Sequence, residues 1–82
     1  MNIEVKIPST GMGISEGTIQ KWLKAEGDTV TQGELIVEIE TAKAIEEVES
    51  PAFGILEKIL LAEGETADVE TIIGLIVVVD ND

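Results

Sequence analysis

Apolar and polar residues alternate along most of the chain. Apolar residues occupy every second position from Ile3 to Ile7 and from Leu35 to Ile39. In the run from Ile19 to Leu23, the two end residues are apolar and lie on the same face of an alternating strand, with Lys21 between them. This period of two is typical of β-strands that bury one face, and the β-branched residues in these runs favour the same interpretation. The residues that the alternation places together on one face are Ile19, Lys21 and Leu23 in one strand and Leu35, Val37 and Ile39 in another.

Glycine and proline separate these runs. The eight glycines lie between the runs or at their edges, and Pro8 and Pro51 lie where a run ends. Glycine suits turns, and the missing N–H of proline is tolerated best at the end of a strand. The sequence therefore predicts an all-β domain of about seven or eight short strands. The last run, IIGLIVVVD, is apolar on both faces and is expected to be a central or doubly covered strand.

The chain contains an internal repeat at an offset of 37 residues. The segment GTIQKWLKAEGDTV, which begins at Gly17, matches GILEKILLAEGETA, which begins at Gly54. Each copy contains a strand, an Ala-Glu-Gly turn, a short connection and a second strand. Two copies are too few for a solenoid, so they are expected to be halves of one pseudo-symmetric domain. To hide its apolar faces, such a domain should form a flattened β-barrel or sandwich of two pseudo-twofold-related four-stranded halves, a barrel-sandwich hybrid.

Composition and charge exclude several functions. The chain has 82 residues, which suits one domain, and a formal net charge of −12, which repels nucleic acids and anionic membrane surfaces. With no His and no Cys, and with lysine as its only basic residue type, the domain is not expected to be an enzyme by itself. The carboxylates lack the spacing of a calcium loop, so no metal site is expected. The apolar run at residues 75–79 is too short to span a bilayer.

One lysine lies in an unusual setting between the two repeats. The stretch EIETAKAIEE, residues 38–47, places Lys43 between two alanines in an acidic run. Strands are predicted at residues 35–40 and 44–49, so Thr41, Ala42 and Lys43 should reverse the chain, without the Asn-Gly pair of a primed turn and in a type I geometry. Because this connection joins the two halves, Lys43 should project from one end of the domain, with both termini at the other. On these residues alone, an ordinary solvated turn lysine is the simpler interpretation.

The surrounding sequence resembles a known family. VEIETAKA, VESPAFGIL and GISEGTIQKWLKAEGDTVTQGELI resemble the lipoyl domain of 2-oxo acid dehydrogenase complexes over nearly the whole chain. In that family a lysine between the two halves carries lipoic acid through an amide bond, and Lys43 aligns with it. The family pattern Glu-Thr-Asp-Lys-Ala implies that Glu40, Thr41, Ala42 and Ala44 flank the attachment turn and contribute to its recognition. Ala42 departs from the usual Asp, and Glu46 departs from an inward Val.

The resemblance implies a non-catalytic carrier that forms part of a dihydrolipoyl acyltransferase component. Lipoate on Lys43 would act as a swinging arm that moves acyl groups and reducing equivalents between the active sites of a 2-oxo acid or acetoin dehydrogenase complex. The implied partners are a lipoate-protein ligase or lipoyl transferase, a thiamine-dependent decarboxylase, the acyltransferase core and dihydrolipoyl dehydrogenase. Residues 1–80 would form the domain, a monomer when isolated, and residues 81–82 would begin a linker or tail. The expected location is the bacterial cytoplasm or the mitochondrial matrix.

Three alternatives remain open at this stage. A biotinyl carrier domain shares the fold, but the pattern of that family around its lysine is Ala-Met-Lys-Met. This chain has alanines, Ala42 and Ala44, on both sides of the lysine. The carrier protein of the glycine-cleavage system is the second alternative. That family tolerates a small residue before the lysine, but its chains are considerably longer than this one. A structural or interaction domain with an unmodified lysine is the third alternative.

The surroundings of Lys43 suggest further roles. The acidic residues Glu38, Glu40, Glu46, Glu47 and Glu49 could form an electrostatic docking ring for a basic partner, although a solvated face is the simpler interpretation. Trp22 is expected to pack rather than to stack on a ligand. GMGISEG lacks the glycine spacing of a phosphate loop and is expected to be a surface loop beside the lysine turn.

Overall fold

The fold is all-β, as the alternation predicts. The computed structural model describes residues 2–9 and 13–78, so the predicted linker at residues 81–82 lies outside the described residues. Eight strands occur within these ranges: β1 Asn2–Lys6, β2 Glu16–Trp22, β3 Thr29–Val30, β4 Leu35–Glu40, β5 Ile45–Glu49, β6 Gly54–Ile59, β7 Thr66–Asp68 and β8 Ile72–Val78. They form two four-stranded sheets, one in the order β1-β8-β6-β3 and the other in the order β5-β4-β2-β7. Across the described ranges, no helix is long and apolar enough to cross a membrane.

The two halves interlock as a pseudo-twofold pair. The 37-residue offset carries β2, β3 and β4 onto β6, β7 and β8, and β1 and β5 take equivalent edge positions in the two sheets. Each sheet contains two strands from each half. The short strand of one half pairs with a long strand of the other, β3 with β6 and β7 with β2. Neither half can therefore form its complete sheet alone, which explains why the domain needs both copies.

The Ala-Glu-Gly turns join the halves through reciprocal hydrogen bonds. The carboxylate of Glu26 accepts the backbone N–H of Ile59 at 2.7 Å. At the equivalent place, the carboxylate of Glu63 accepts the backbone N–H of Trp22 at 2.9 Å. Ile59 and Trp22 each end a strand, and their N–H groups are satisfied by the other half's turn. The identical Glu pair of the repeat therefore has a structural role.

Bulges at matched positions change which side chains face inward. In β2 the pairing with β4 skips one residue between Ile19 and Lys21, so Lys21 is exposed while Ile19 is buried. In β4 the pairing with β5 skips Ile36, and both Ile36 and Val37 are buried while Leu35 is 36% exposed. The predicted burial was therefore wrong for Lys21, Leu23 and Leu35, because strict alternation does not survive an inserted residue. It is confirmed for Ile19, Val37 and Ile39, which are buried. β6 and β8 are bulged at the equivalent positions.

The core lies between the two sheets. Its fully or nearly fully buried side chains are Val5, Ile7, Ile19, Val30, Ile36, Val37, Ile39, Leu56, Ile73 and Ile76. Trp22 packs against this cluster and donates its indole N–H to the carbonyl of Leu61 at 2.8 Å, which confirms its predicted packing role. The last strand lies between β1 and β6, which confirms that the doubly apolar run is central.

Candidate functional site

The candidate site is the reversal between β4 and β5. Glu40 and Ile45 form the last cross-strand pair, and residues 41–44 connect them. The backbone N–H of Thr41 donates to the carbonyl of Ala44 at 2.8 Å and closes the turn. The turn therefore lies where the sequence predicts it, although β5 begins at Ile45 rather than at residue 44.

The hydroxyl of Thr41 organises the turn. It donates to the carbonyl of Ala44 at 2.8 Å and accepts the backbone N–H of the same residue at 3.2 Å. The N–H of Lys43 lies 3.4 Å from the same oxygen, at the long end of hydrogen-bonding distances. Neither Ala42 nor Lys43 has a positive φ, in agreement with a turn that is not primed. The Thr41 side chain thus holds together a turn that has no Asn-Gly pair.

Lys43 is exposed at one end of the domain, and so are the alanines on either side of it. From this turn β5 runs for five residues, about 17 Å at about 3.3 Å per residue, to Ser50. The chain then reaches Gly54, which pairs with Val78 near the chain terminus. We call the end with residues 40–45 the lysine end, and the end where Asn2, Gly54 and Val78 meet the terminal end.

The other lysines lie in different settings. Lys24 forms an ion pair with Glu34 at 2.8 Å, and the hydrogen bond between them raises the pKa of Lys24 above its ordinary value. The Nζ of Lys6 lies 4.0 Å from Oε1 of Glu4. Lys21 and Lys58 lie within β2 and β6, each next to the bulge of its strand. Among the described residues, Lys43 alone of the five lysines lies in a chain reversal rather than in a strand or an ion pair.

The acidic residues near Lys43 follow the hairpin along its length. The cross-strand partners are Glu38 with Glu47, Ile39 with Glu46, and Leu35 with Glu49. Glu49 therefore lies at the far end of the hairpin from Lys43, and the predicted ring around the lysine was wrong in this respect. Glu46 is half-buried opposite the buried Ile39, as its inward position predicts. Glu38 and Glu47 face each other directly, and this like-charge pair weakens the hairpin.

A groove lies beside the turn. Residues 13–18 form one wall and residues 40–42 form the other, and together they enclose about 230 Å³. The described part of the GMGISEG segment thus flanks the lysine turn as predicted, whereas Gly11 and Met12 lie outside the described residues. Sequence reasoning did not find the groove, because its walls come together only when β2 pairs with β4.

Comparison with known proteins identifies the family. The family model for biotin and lipoyl attachment, described as biotin-requiring enzyme, matches residues 3–76. Among solved structures, the lipoyl domain of the 2-oxoglutarate dehydrogenase complex from Azotobacter vinelandii superposes with a TM-score of 0.77 at 36% identity. That superposition covers 92% of this chain and 95% of the other. The chain belongs to the lipoyl-domain family.

Two curated relatives agree with this assignment. The lipoyl domain is 47% identical over 73 residues to the dihydrolipoyllysine-residue succinyltransferase component of the 2-oxoglutarate dehydrogenase complex from Staphylococcus saprophyticus, which covers 89% of this chain and 17% of the relative. It is 52% identical over 64 residues to the acetyltransferase component of the pyruvate dehydrogenase complex from Zymomonas mobilis, which covers 78% and 14%. The lipoyl domain therefore spans less than a fifth of the length of either relative.

Family membership settles the kind of function. Lipoyl domains are carriers that hold lipoate covalently on a lysine and are not catalytic themselves, so the sequence-based prediction of a lipoyl carrier domain is confirmed. The structure adds the role of the Thr41 hydroxyl, which the resemblance had placed only among the flanking residues. A threonine that opens a turn was the available signal, because its hydroxyl can bond to the backbone two or three residues ahead.

Proposed function

We propose that Lys43 is the residue that carries lipoate in this domain. Its amine would form an amide with the carboxyl group of lipoate, with loss of water in the overall condensation. The observation that carries the proposal is the setting of Lys43, an exposed lysine at a hairpin reversal that is closed by Thr41 and bordered by two alanines. A modifying enzyme has to reach the amine, and methyl side chains on either side leave the approach open.

The residues at the turn fit this prosthetic group. Acylation removes the lysine charge, and no described ion pair of Lys43 has to be broken for this to happen. The paired strands below the turn hold the attachment point rigidly, while the four-carbon lysine stem provides reach. When bound, lipoate supplies a disulfide that can accept an acyl group together with a pair of electrons. The protein contributes presentation rather than catalysis.

We further propose that the domain is a module of an acyltransferase component in a 2-oxo acid dehydrogenase complex. The relatives described above, which are such components, support this proposal. The proposed partners are a lipoate-protein ligase or lipoyl transferase, a thiamine-dependent decarboxylase, the acyltransferase core and dihydrolipoyl dehydrogenase. The proposed location is the bacterial cytoplasm or the mitochondrial matrix. A pyruvate complex and a 2-oxoglutarate complex both occur among the relatives, so either substrate is compatible.

Intact-mass measurement tests the attachment site. The domain is co-expressed with a lipoate-protein ligase, and its mass is compared with those of Lys43→Arg and Lys58→Arg. We expect one added lipoyl group on the parent and on the Lys58 variant, which keeps its target lysine, and none on the Lys43 variant. Modification that persists in Lys43→Arg, or a parent that is never modified, would contradict the proposal.

A biotinyl carrier is the second candidate, because the matching family model covers biotin attachment as well. The biotinyl pattern has methionine on both sides of the lysine, whereas this chain has Ala42 and Ala44 there. Co-expression with a biotin ligase and a streptavidin blot separates the two functions. We expect no streptavidin signal from the parent domain.

A further inference from the structure

The groove at the lysine end has a composition that suits a small, uncharged group. Ile14 and Thr18 are half-buried in its wall, and Ser15 is exposed beside them. The Thr18 hydroxyl shares a 2.7 Å hydrogen bond with that of Thr66. The groove therefore offers an apolar side chain and hydroxyl groups within one small space.

The charged residues of the groove restrict what it accepts. Glu16 and Glu40 both lie in its lining, and the lining contains no lysine. A free carboxylate would meet two like charges there, whereas a neutral amide or a dithiolane ring would not. Lipoate loses its carboxylate charge when it is joined to a lysine. The groove thus favours the attached form of the group over the free acid.

The position of the groove points to the same occupant. Ala42 belongs to its lining, and Lys43 is the next residue in the chain. The hydrogen bond between Thr41 and Ala44 closes the turn that contains both residues. A group carried by Lys43 is therefore held near the opening of the groove at high local concentration. No other described lysine adjoins a residue of this lining in sequence.

Resting on the proposed attachment at Lys43, we infer that this groove is a resting site for the lipoyl group of the same molecule. Ile14 contacts the apolar part of the group, and the hydroxyls of the wall face its polar part. The volume of about 230 Å³ lies below the range of about 300–1,000 Å³ that encloses a typical ligand. The group is therefore covered only in part and leaves readily, and the groove limits its motion between transfers.

Nuclear magnetic resonance tests the contact directly. Backbone amide spectra of the unmodified and lipoylated domain are compared, with complete modification established by intact mass. We expect shifts at residues 13–18 in addition to those at residues 42–44. Shifts confined to residues 42–44 in a fully modified sample would overturn the resting site and leave the proposed attachment intact. Absence of the mass increase would instead overturn the attachment.

A variant that fills the groove provides an independent test. Ser15→Trp places a large side chain in the groove, and Thr29→Trp is the matched control because Thr29 is exposed and outside the groove. In the lipoylated proteins, the group is reduced with a phosphine, and the alkylation rate of its thiols by neutral iodoacetamide is followed by mass. We expect Ser15→Trp to raise this rate about fourfold, the effect of exposing one methylene-sized group. The Thr29 variant should match the parent.

Equal alkylation rates in the parent and both variants, with all three proteins folded as judged by their amide spectra, would overturn the resting site. If Ser15→Trp does not fold, the amide shifts of the unmutated protein still decide the inference.

Discussion

The lysine end and the terminal end have equivalent backbone arrangements but different side chains. The matched positions are Glu16 with Phe53, Thr18 with Ile55, and Glu40 with Val77. The first member of each pair lines the polar groove, whereas Phe53 and Ile55 are 41% and 38% exposed. The reciprocal bonds between the halves are present in both copies. The duplicated backbone therefore fixes the fold, and the surface at each end is free to diverge, so that one end can specialise.

The largest expected difference between the ends concerns Gly17 and Gly54, matched residues at the second position of β2 and the first position of β6. A methyl group at Gly54 would collide with the backbone carbonyl of Val77, whereas one at Gly17 would lie 2.6 Å from a side-chain methyl of Ile39. A backbone atom in a sheet moves less easily than a side chain. We expect Gly54→Ala to lower the free energy of unfolding by about 3 kcal/mol and Gly17→Ala by about 1–2 kcal/mol, within the range of overpacking. Urea denaturation measures both.

This pair tests whether matched positions are energetically equivalent. Equal losses in the two variants would mean that β8 yields as easily as the Ile39 side chain. Gly27→Ala is not a suitable control, because Gly27 has a φ of +94° and would add backbone strain.

The second expected difference concerns Thr41 and its counterpart at the terminal end, Val78. Thr41 bonds to the turn, whereas Val78 continues a strand. Thr41→Val should therefore remove the hydroxyl contacts that hold Lys43 in place. Losing a net hydrogen bond of about 1 kcal/mol should reduce the kcat/KM of lipoylation about fivefold. Steady-state kinetics with a lipoate-protein ligase measure this effect.

Rescue distinguishes positioning from general destabilisation. Thr41→Ser keeps the hydroxyl and should restore most of the lipoylation rate. The loss of about 1 kcal/mol should lower the thermal midpoint of Thr41→Val by about 4–8 °C, which leaves it folded during the assay, whereas Thr41→Ser should stay close to the parent. Equal rates for the valine and serine variants would exclude a role for the hydroxyl in presenting Lys43.

Much of this comparison could be predicted from the sequence, and the rest depended on tertiary contacts. The repeat predicted the pseudo-symmetry because identical residues at one offset require equivalent surroundings, and the apolar last strand was correctly expected to be central. The bulges at Gln20 and Ile36 were missed, since neither residue carries a local signal for an unpaired position. The groove was missed because residues 13–18 and residues 40–42 are distant in sequence and meet only through strand pairing.

The smallest expected difference concerns Gly33 and Glu70, which occupy matched left-handed positions. Their φ values are +87° and +71°, and both backbone N–H groups bond to a carbonyl, that of Ser50 for Gly33 and that of Ile7 for Glu70. In this conformation, the steric strain of a side chain lowers the free energy of unfolding by about 1–2 kcal/mol. Glycine avoids this strain but lowers the free energy of unfolding by about 0.5–1 kcal/mol, because its unfolded chain has more conformational freedom. The net gain expected for Glu70→Gly is therefore about 0.5 kcal/mol.

The reverse substitution completes the pair. Gly33→Ala meets no atom within 4 Å, so its effect comes from the same two backbone terms alone, and we expect a loss of about 0.5 kcal/mol. Urea denaturation of the two single variants separates these small effects by their opposite signs. A destabilised Glu70→Gly would show that the Glu70 side chain makes a stabilising contribution at the lysine end that outweighs its backbone strain. In that case the two ends would differ in the energetics of their turns as well as in the chemistry of their surfaces.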